Sequence, residues 1–393
     1  MLPEVDGRLF AGVVSFKSPT KRDPDLQYSR FIHRADADRI AAALDRVEAH
    51  LRLSRTKPAE THLALVLSTY PGRDYNLAHA VGLDALASTS AILSALAAEG
   101  YDVTPENDLG ARLSQEVLSW PIADYRAALE TLPESLRNDL HAAWGAPEDD
   151  PAIRDGMVQF RALRAGKALI ALQPERGDVH LREDDYHDLD RTPRHGYVAF
   201  YLWLQTQTDA LVHVGAHGTL EWLPGKAVAL SAACWPEALC ASMPVIYPFI
   251  VNDPGEAAQA KRRIAAITVG HMPPPLAQTT LPEGMGRLES LLDEYSTADG
   301  LDPSRRDRLI ADIRAEAQGS GVEADLNIPA EASAAEAITR IDRFVCDIKE
   351  SQYGEGLHIF GTGQCGADER AGLIAALNGQ MVAPGPSGSP FRG

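Results

Sequence analysis

The chain has 393 residues, enough for two or three domains, and its 45% hydrophobic and 23% charged residues are typical of a folded globular protein. Its 37 Lys and Arg residues against 55 Asp and Glu residues give a formal net charge of −18, which disfavours nucleic acid as a partner. The first residues lack the basic and apolar segments of a signal peptide, and no apolar run approaches the roughly 18 residues of a membrane span, so we expect a cytoplasmic protein. The four cysteines include no C-x-x-C pair and predict free thiols.

Apolar runs alternate with helical patterns in the first part of the chain. After a helical stretch at about 36–53, HLALVLSTYPGRD predicts a buried strand, and AVGLDALASTSAILSALAAEGYDV predicts a helix followed by the start of another strand. This is a βαβ pattern, so we expect an α/β fold with a parallel sheet. The region 108–166 is polar and predicted to be a helix-rich insertion.

The same alternation resumes after residue 166. KALIALQP, DALVHVG and MPVIYPFIVND predict strands, and YVAFYLWLQTQ predicts a buried helix. Asp253, Pro254 and Glu256 form a helix start signal. We expect four regions: 1–107, an α/β region with a βαβ unit; 108–166, the helical insertion; 167–284, a second α/β region; and 285–393, helices, then a strand-helix unit and a flexible tail.

Common nucleotide and hydrolase motifs are incomplete or missing. Gly361, Gly363 and Gly366 match G-x-G-x-x-G, but no acidic residue stands about twenty positions further on, so the glycines are interpreted as a tight turn. Both Gly-Lys pairs are followed by alanine, which excludes a P-loop. H-E-x-x-H and G-x-S-x-G do not occur.

The stretch VHVGAHGTLEWLPGK, residues 212–226, gathers chemically active side chains at the predicted end of a strand. His213 lies on the strand, and His217 and Glu221 are four residues apart, so a helical turn would place them on one face. Imidazole and carboxylate suit divalent ions such as cobalt or zinc and also accept protons. The spacing equally allows a core histidine and a solvated or capping carboxylate.

Basic and aromatic residues near this stretch could hold an acidic ligand. Arg194 and His195 precede the buried helix, Lys226 ends the stretch, and Lys261, Arg262 and Arg263 follow in a helix. Trp222 could supply a flat apolar contact, as could Tyr197 and Tyr247. Each of these residues could also be an ordinary surface charge or core aromatic.

Several motifs in the same order make the chain recognisable. HVGAHGTLEWLPGKAVALS, CWPEAL and YPFIVNDPGEAAQAKRR resemble the signature region of the large tetrapyrrole-binding subunit of cobaltochelatase and, more distantly, that of magnesium chelatase. YPGRD, AVGLDALAS, ALQPERG, RHGYVAFY and PGPSGSPFRG extend the likeness over nearly the whole chain. His213 and LEWLPGK follow the cobalt branch. Ala216 departs from the cobalt-branch pattern, as does Cys240-Ala241-Ser242. The family's large chains are far longer than this one, so we expect a central fragment of a multidomain subunit.

The resemblance implies ATP-dependent insertion of Co²⁺ into hydrogenobyrinic acid a,c-diamide during cobalamin synthesis. This chain would bind the corrin through Arg194, His195, Trp222 and Lys226. AAA+ partner subunits would hydrolyse the ATP, which agrees with the missing P-loop.

Within that resemblance, His217 and Glu221 would act as base and transient ligand, with His213 as a third metal ligand. Three alternatives stay open. They are a magnesium chelatase large subunit acting on protoporphyrin IX, a non-catalytic corrinoid-binding module, and a metallohydrolase that holds its metal on the same three residues.

Overall fold

The structure is a computed structural model that describes residues 9–68, 79–80, 82–106, 108–177, 190–215, 218–251, 254–271, 283–298, 302–326, 328–329, 332–351, 357–363 and 365–379. The strands are β1 (Ser15–Pro19), β2 (Phe31–Ala35), β3 (Leu63–Leu67), β4 (His79–Ala80), β5 (Leu83–Asp84), β6 (Val117–Pro121), β7 (Ile153–Arg154), β8 (Met157–Ala165), β9 (Ala168–Leu172), β10 (Ala210–Val214), β11 (Val245–Ile250) and β12 (Ile267–His271). The α-helices are α1 (Ala37–Arg55), α2 (Ala85–Ala98), α3 (Leu109–Gln115), α4 (Ile122–Leu129), α5 (Glu134–Trp144), α6 (His195–Gln207), α7 (Trp235–Cys240), α8 (Pro254–Ile264), α9 (Glu283–Ala298), α10 (Pro303–Gly319), α11 (Val322–Asp325), α12 (Ala334–Ser351) and α13 (Gly366–Leu377).

An eight-stranded mixed sheet organises the chain, and it confirms the predicted α/β class. Its order is β12-β11-β10-β3-β9-β8-β6, with β7 paired to β8. The five strands from β12 to β9 are parallel, whereas β8, β6 and β7 add antiparallel pairs at one side. The carboxyl ends of the parallel strands meet at one edge, which is where open α/β sheets place ligand sites.

Both faces of the sheet are covered, as parallel strands require. Along β3, Ala64 and Val66 join one apolar cluster, and Leu63, Leu65 and Leu67 join the cluster on the opposite face. The first cluster includes α6, whose residues from 195 to 204 are all buried, and the second includes apolar side chains of α2 and α13. The continuous apolar sequences of these elements follow from burial on every side.

The helices of the predicted C-terminal region form their own core. Apolar side chains of α9, α10 and α12 pack together, and this cluster contains Leu288, Ile313 and Ile341. The helices predicted for the region 285–393 are present among the described residues, whereas the strand predicted before the last helix is only an isolated bridge at His358. The tail from 380 to 393 and the capping residue Asp253 lie outside the described residues.

The prediction of a helical insertion at 108–166 was incomplete. The segment does hold α3, α4 and α5, but it also supplies β6, β7 and β8 to the main sheet. β8 carries exposed Arg161 and Arg164 among buried residues because it lies on the antiparallel side of the sheet, and these charges made the segment look polar. In the described part of the chain, no helix is both long enough and apolar enough to cross a membrane.

Candidate functional site

Three adjacent parallel strands bring the predicted site together at their carboxyl ends. His213, on β10, pairs in register with Val66 of β3, and Ser68 follows β3 directly. Tyr247 lies on the neighbouring strand β11. The chain leaves β10 at Gly215 and, beyond 216–217, forms a single 3-10 turn at Leu220–Trp222. The site therefore stands at the edge that the sequence predicted.

Glu221 is fully buried at the centre of this arrangement. Its Oε1 accepts hydrogen bonds from the backbone N–H of Gly218 at 3.3 Å and from the hydroxyl of Tyr247 at 3.1 Å. Its Oε2 has no hydrogen-bond partner among the residues that the structure describes. A buried carboxylate oxygen in this state costs free energy.

The environment of Glu221 favours its protonated form. Burial raises the pKa of the Glu221 carboxyl, and this outweighs the opposite effect of the hydrogen bonds from Tyr247 and Gly218 and of the positive charge on Arg263. A carboxylate with a raised pKa is a better proton acceptor near neutral pH than an ordinary one. The side chain can therefore take up and hold a proton in a site that excludes water.

Two buried arginines hold the backbone that carries Glu221. Arg263, in α8, donates from its three guanidinium nitrogens to three carbonyl oxygens, those of Glu221 at 2.6 Å, Leu223 at 2.7 Å and Lys226 at 3.2 Å. Arg176 donates to the carbonyl of Trp222 at 3.1 Å. These bonds pin residues 221–226 in one conformation, because charged donors make stronger hydrogen bonds than neutral ones.

A buried amide fixes the start of the same turn. Gln173 donates to the hydroxyls of Tyr201 at 2.6 Å and Tyr197 at 3.2 Å, and its Oε1 accepts from the N–H of Thr219 at 3.3 Å. The hydroxyl of Tyr197 also lies 2.9 Å from that of Thr219. Burial raises the pKa of both tyrosines, so this network is neutral. It links helix α6 and strand β9 to the turn two residues before Glu221.

His213 is enclosed by the protein rather than turned toward a cavity. Its ring is fully buried and stacks on Tyr247 with centroids 4.8 Å apart and an interplanar angle of 13°. Its Nδ1 lies 3.4 Å from the hydroxyl of Ser68. A Cβ on Gly218 would stand 2.8 Å from His213 Cε1 and closer still to Nε2, so the backbone of the loop rests directly on the ring. In this structure His213 supports Tyr247 and the loop.

The predicted ligand contacts Arg194 and His195 lie inside the fold. The guanidinium of Arg194 pairs with Asp150 at 3.2 Å. His195 Nε2 lies 3.2 Å from the carbonyl of Gly145, so this nitrogen carries the proton, and Nδ1 accepts from the hydroxyl of Tyr125 at 2.7 Å. Burial lowers the pKa of His195 and keeps its ring neutral. Both residues anchor the first turn of α6 rather than present donors to solvent.

The other two predicted contacts differ from each other in exposure. The ring of Trp222 is buried and offers no face to a ligand, whereas Lys226 is exposed. The intervening Pro224 and Gly225 line a cleft of about 610 Å³, a volume within the range of small-molecule sites. The other residues that line the cleft are Leu136, Asp139, Ala142, Ala143, Asp190, Thr192, Ala233 and Trp235.

A histidine-carboxylate cluster that the sequence did not predict lies at the far end of the same sheet edge. His358 bonds to Glu369 at 2.9 Å and stacks on His271, the last residue of β12, with centroids 5.3 Å apart. Glu369 also accepts from the N–H of Gly361 at 2.6 Å, within the glycine-rich turn. The sequence signal that could have indicated this cluster is the histidine in GLHIFG with a glutamate 11 residues later. The third member, His271, is brought to them only by the fold.

The glycine-rich segment itself is a tight turn, as predicted. Gly361 and Gly363 have φ values of +81° and +71°, and a Cβ on Gly366 would stand 2.6 Å from the carbonyl carbon of Gly361. Among the described residues there is no group of three or more His, Cys, Asp or Glu side chains placed to hold a metal ion. His217, the middle residue of the predicted metal set, lies outside the described residues.

Known proteins are similar to this chain in sequence and in fold. The chain is 39% identical over 377 residues to an aerobic cobaltochelatase subunit CobN of Sinorhizobium sp. and 38% identical over 395 residues to that of Pseudomonas aeruginosa. These alignments cover 92% and 96% of this chain but 30% and 32% of the relatives. Identity to a magnesium-chelatase subunit of Rhodobacter capsulatus is 28%, over all of this chain and 36% of the relative.

A solved structure is also similar to this chain. The catalytic subunit of cobaltochelatase from Mycobacterium tuberculosis matches with a TM-score of 0.62 and 34% identity, over 93% of this chain and 33% of that one. This chain thus spans about a third of the length of the relatives that it matches. The family model described as CobN/Magnesium Chelatase matches residues 1–367, and the chain therefore belongs to the CobN/magnesium chelatase family.

Proposed function

We propose that this chain is the part of a cobaltochelatase large subunit that binds a corrin and prepares it for Co²⁺ insertion. The substrate is hydrogenobyrinic acid a,c-diamide, and separate AAA+ subunits hydrolyse the ATP that drives the reaction. Identity of 38–39% to cobaltochelatase subunits against 28% to the magnesium-chelatase subunit favours cobalt over magnesium.

The observation that carries the proposal is the buried Glu221 inside the family's signature. Metal insertion requires that protons leave the inner nitrogens of the macrocycle, so the site needs a group that accepts a proton away from water. The Glu221 carboxyl has a raised pKa, and its Oε2 lacks a hydrogen bond among the described residues. Its Oε1 is held by Gly218 and Tyr247, which leaves Oε2 as the acceptor.

Other residues have supporting roles in the proposal. His217, four residues before Glu221, is the second proton acceptor and transient Co²⁺ ligand, on the strength of its place in the signature. Exposed Lys226 attracts the carboxylates of the corrin. The contacts of Arg194, His195, Trp222 and His213 support roles in positioning α6, the 3-10 turn and Tyr247.

Cobalt insertion with a single-atom substitution tests the proposal. The chain, completed with the rest of a large subunit and AAA+ partners, is supplied with corrin, Co²⁺ and ATP, and insertion is followed by the change in corrin absorbance. Glu221→Gln keeps the shape and removes the acceptor, so we expect insertion to fall by about 10²–10⁴-fold while corrin affinity is retained.

The matched control is Glu323→Gln, which changes a buried glutamate in the helical unit and should insert cobalt like the wild type. Full insertion activity in Glu221→Gln would remove this carboxylate from the mechanism. Binding of the corrin without insertion in the wild type would instead support the alternative of a non-catalytic corrinoid-binding module.

A further inference from the structure

Exposed apolar side chains are concentrated in one part of the molecule. Fifteen large hydrophobic residues are exposed among the described residues, and eleven of them lie between positions 9 and 51. We call these eleven the N-terminal apolar face: Leu9, Phe10, Val14, Phe16, Leu26, Tyr28, Phe31, Ile40, Leu44, Val47 and Leu51. Scattered exposed apolar residues need no explanation, but a concentration of this kind marks an interaction surface.

Helix α1 contributes a regular stripe to this face. Ile40, Leu44, Val47 and Leu51 follow the i, i+4, i+7, i+11 spacing of one helix face, yet all four are exposed, with Leu44 at 61%. The helix is held to the protein by a different face, which carries polar anchors. Arg39 and Arg46 there reach the buried Glu237 at 2.5 and 2.9 Å. The outward stripe is therefore an exposed apolar surface that does not hold α1 to the rest of the protein.

The segment before the hairpin lies beside α1 and carries further exposed apolar side chains. The N–H of Asp36 donates to the carbonyl of Val14 at 3.0 Å, and the guanidinium of Arg46 donates to that of Ala11 at 2.9 Å. These two contacts, one just before the helix and one in its middle, fix residues 11–14 beside it. The exposed side chains of Phe10 and Val14 therefore lie close to α1.

The β1-β2 hairpin is the third part of the N-terminal apolar face, and much of its surface is exposed. The two strands pair only with each other in the described structure, and Phe31 is 61% exposed. A two-stranded hairpin is marginally stable in water without a packed face. Five exposed basic residues against two acidic ones give it a positive charge in a chain of net charge −18: Lys17, Lys21, Arg22, Arg30 and Arg34 against Asp23 and Asp25.

We propose that the N-terminal apolar face docks the remainder of the cobaltochelatase large subunit. The relatives carry about two thirds of their length outside the region that matches this chain, which is enough protein to cover this face. A second copy fits less well, because a symmetric dimer through this face would bring two positive hairpins together. The proposal rests on family membership and not on the proposed reaction.

Cysteine labelling tests which partner covers the face. Leu44→Cys is made in a Cys365→Ser background, both in this chain and in a chimera in which the chain replaces the matched region of the Sinorhizobium protein. We expect rapid maleimide labelling in the isolated chain and labelling at least about tenfold slower in the chimera, since a covered thiol reacts slowly. Val117→Cys, exposed outside the face, should label at similar rates in both.

Two results would overturn the proposal. One is equal labelling of Leu44→Cys in the two proteins, and the other is protection in the isolated chain that increases with its concentration, which would identify a second copy as the occupant. A second variant decides the matter if the chimera does not fold. Leu44→Lys with Val47→Lys in the isolated chain should leave the melting temperature unchanged and lower the fluorescence of a bound apolar dye, whereas a drop of several degrees would mean that the face is already covered.

Discussion

Gly218→Ala is the substitution that most directly tests the packing around Glu221. A Cβ at this position would stand 2.8 Å from His213 Cε1, closer to His213 Nε2, and 3.0 Å from the hydroxyl of Tyr247. Real Cβ atoms essentially never approach other atoms below 3.0 Å, so either the loop or the ring must move. The ring has little room, because it stacks on Tyr247 and its Nδ1 faces Ser68.

The expected cost follows from overpacking one methyl group into a filled interior. Such insertions typically destabilise a protein by about 1–3 kcal/mol, and a buried aromatic stack belongs near the upper end. Urea unfolding followed by tryptophan fluorescence measures the loss of unfolding free energy. Since the moved loop carries Glu221, we also expect slower cobalt insertion by the completed large subunit.

The matched control is Gly286→Ala in α9, where a Cβ meets nothing within 4 Å. That change should stabilise the helix by about 0.5–1 kcal/mol, because alanine loses less backbone entropy than glycine. A double-mutant cycle locates the clash, since Gly218→Ala should cost little once His213→Ala has removed the ring. Wild-type stability in the Gly218→Ala single variant would refute this account of the site.

Three further substitutions probe the buried carboxylates Glu237, Glu369 and Glu221, and urea unfolding measures each. Glu237→Ala leaves two buried arginine charges without their partner, and we expect a loss of about 3–5 kcal/mol. Glu369→Ala removes the acceptor of a backbone N–H and of a histidine, for an expected loss of about 1–3 kcal/mol. Glu221 has a raised pKa in the folded state, so the folded protein binds the extra proton and wild-type stability falls as the pH rises from about 4.5 through that pKa. Glu221→Gln should lack this fall, and the gap between the two should grow by about 1.4 kcal/mol for each pH unit in that window; parallel curves would contradict the raised pKa.

The central strands could be predicted from the sequence because burial on both faces leaves an unmistakable pattern. LALVL, ALIAL and ALVHV are continuous apolar runs, and each forms a parallel strand at the predicted place. Strands β8 and β12 could not be predicted in the same way. β8 places Arg161 and Arg164 toward solvent, and β12 consists of half-buried residues that end in a histidine.

The position of the site could be predicted, but its supporting contacts could not. Glu221 was chosen as a candidate because it follows the carboxyl end of a predicted parallel strand, where α/β proteins place ligand sites. Gln173 and Arg263 bond to the same turn from 46 and 42 residues away in the chain, and no local pattern reports such pairings. Arg194 and His195 looked like ligand contacts for the same reason, since their partners Asp150 and Tyr125 are distant in sequence.

The hydrogen bonds around Glu221 support the proposal that its carboxylate accepts a proton. A fold selected only for stability would give hydrogen bonds to both oxygens of a buried carboxyl group, because a buried polar atom without a hydrogen bond is costly. Arg263 instead directs three guanidinium nitrogens to backbone carbonyls, and Arg176 directs one to the next residue. The turn is thereby held rigidly while Oε2 of Glu221 stays without a hydrogen bond among the described residues. A backbone held in place and an acceptor atom without a hydrogen bond are what the proposed proton transfer to Glu221 requires.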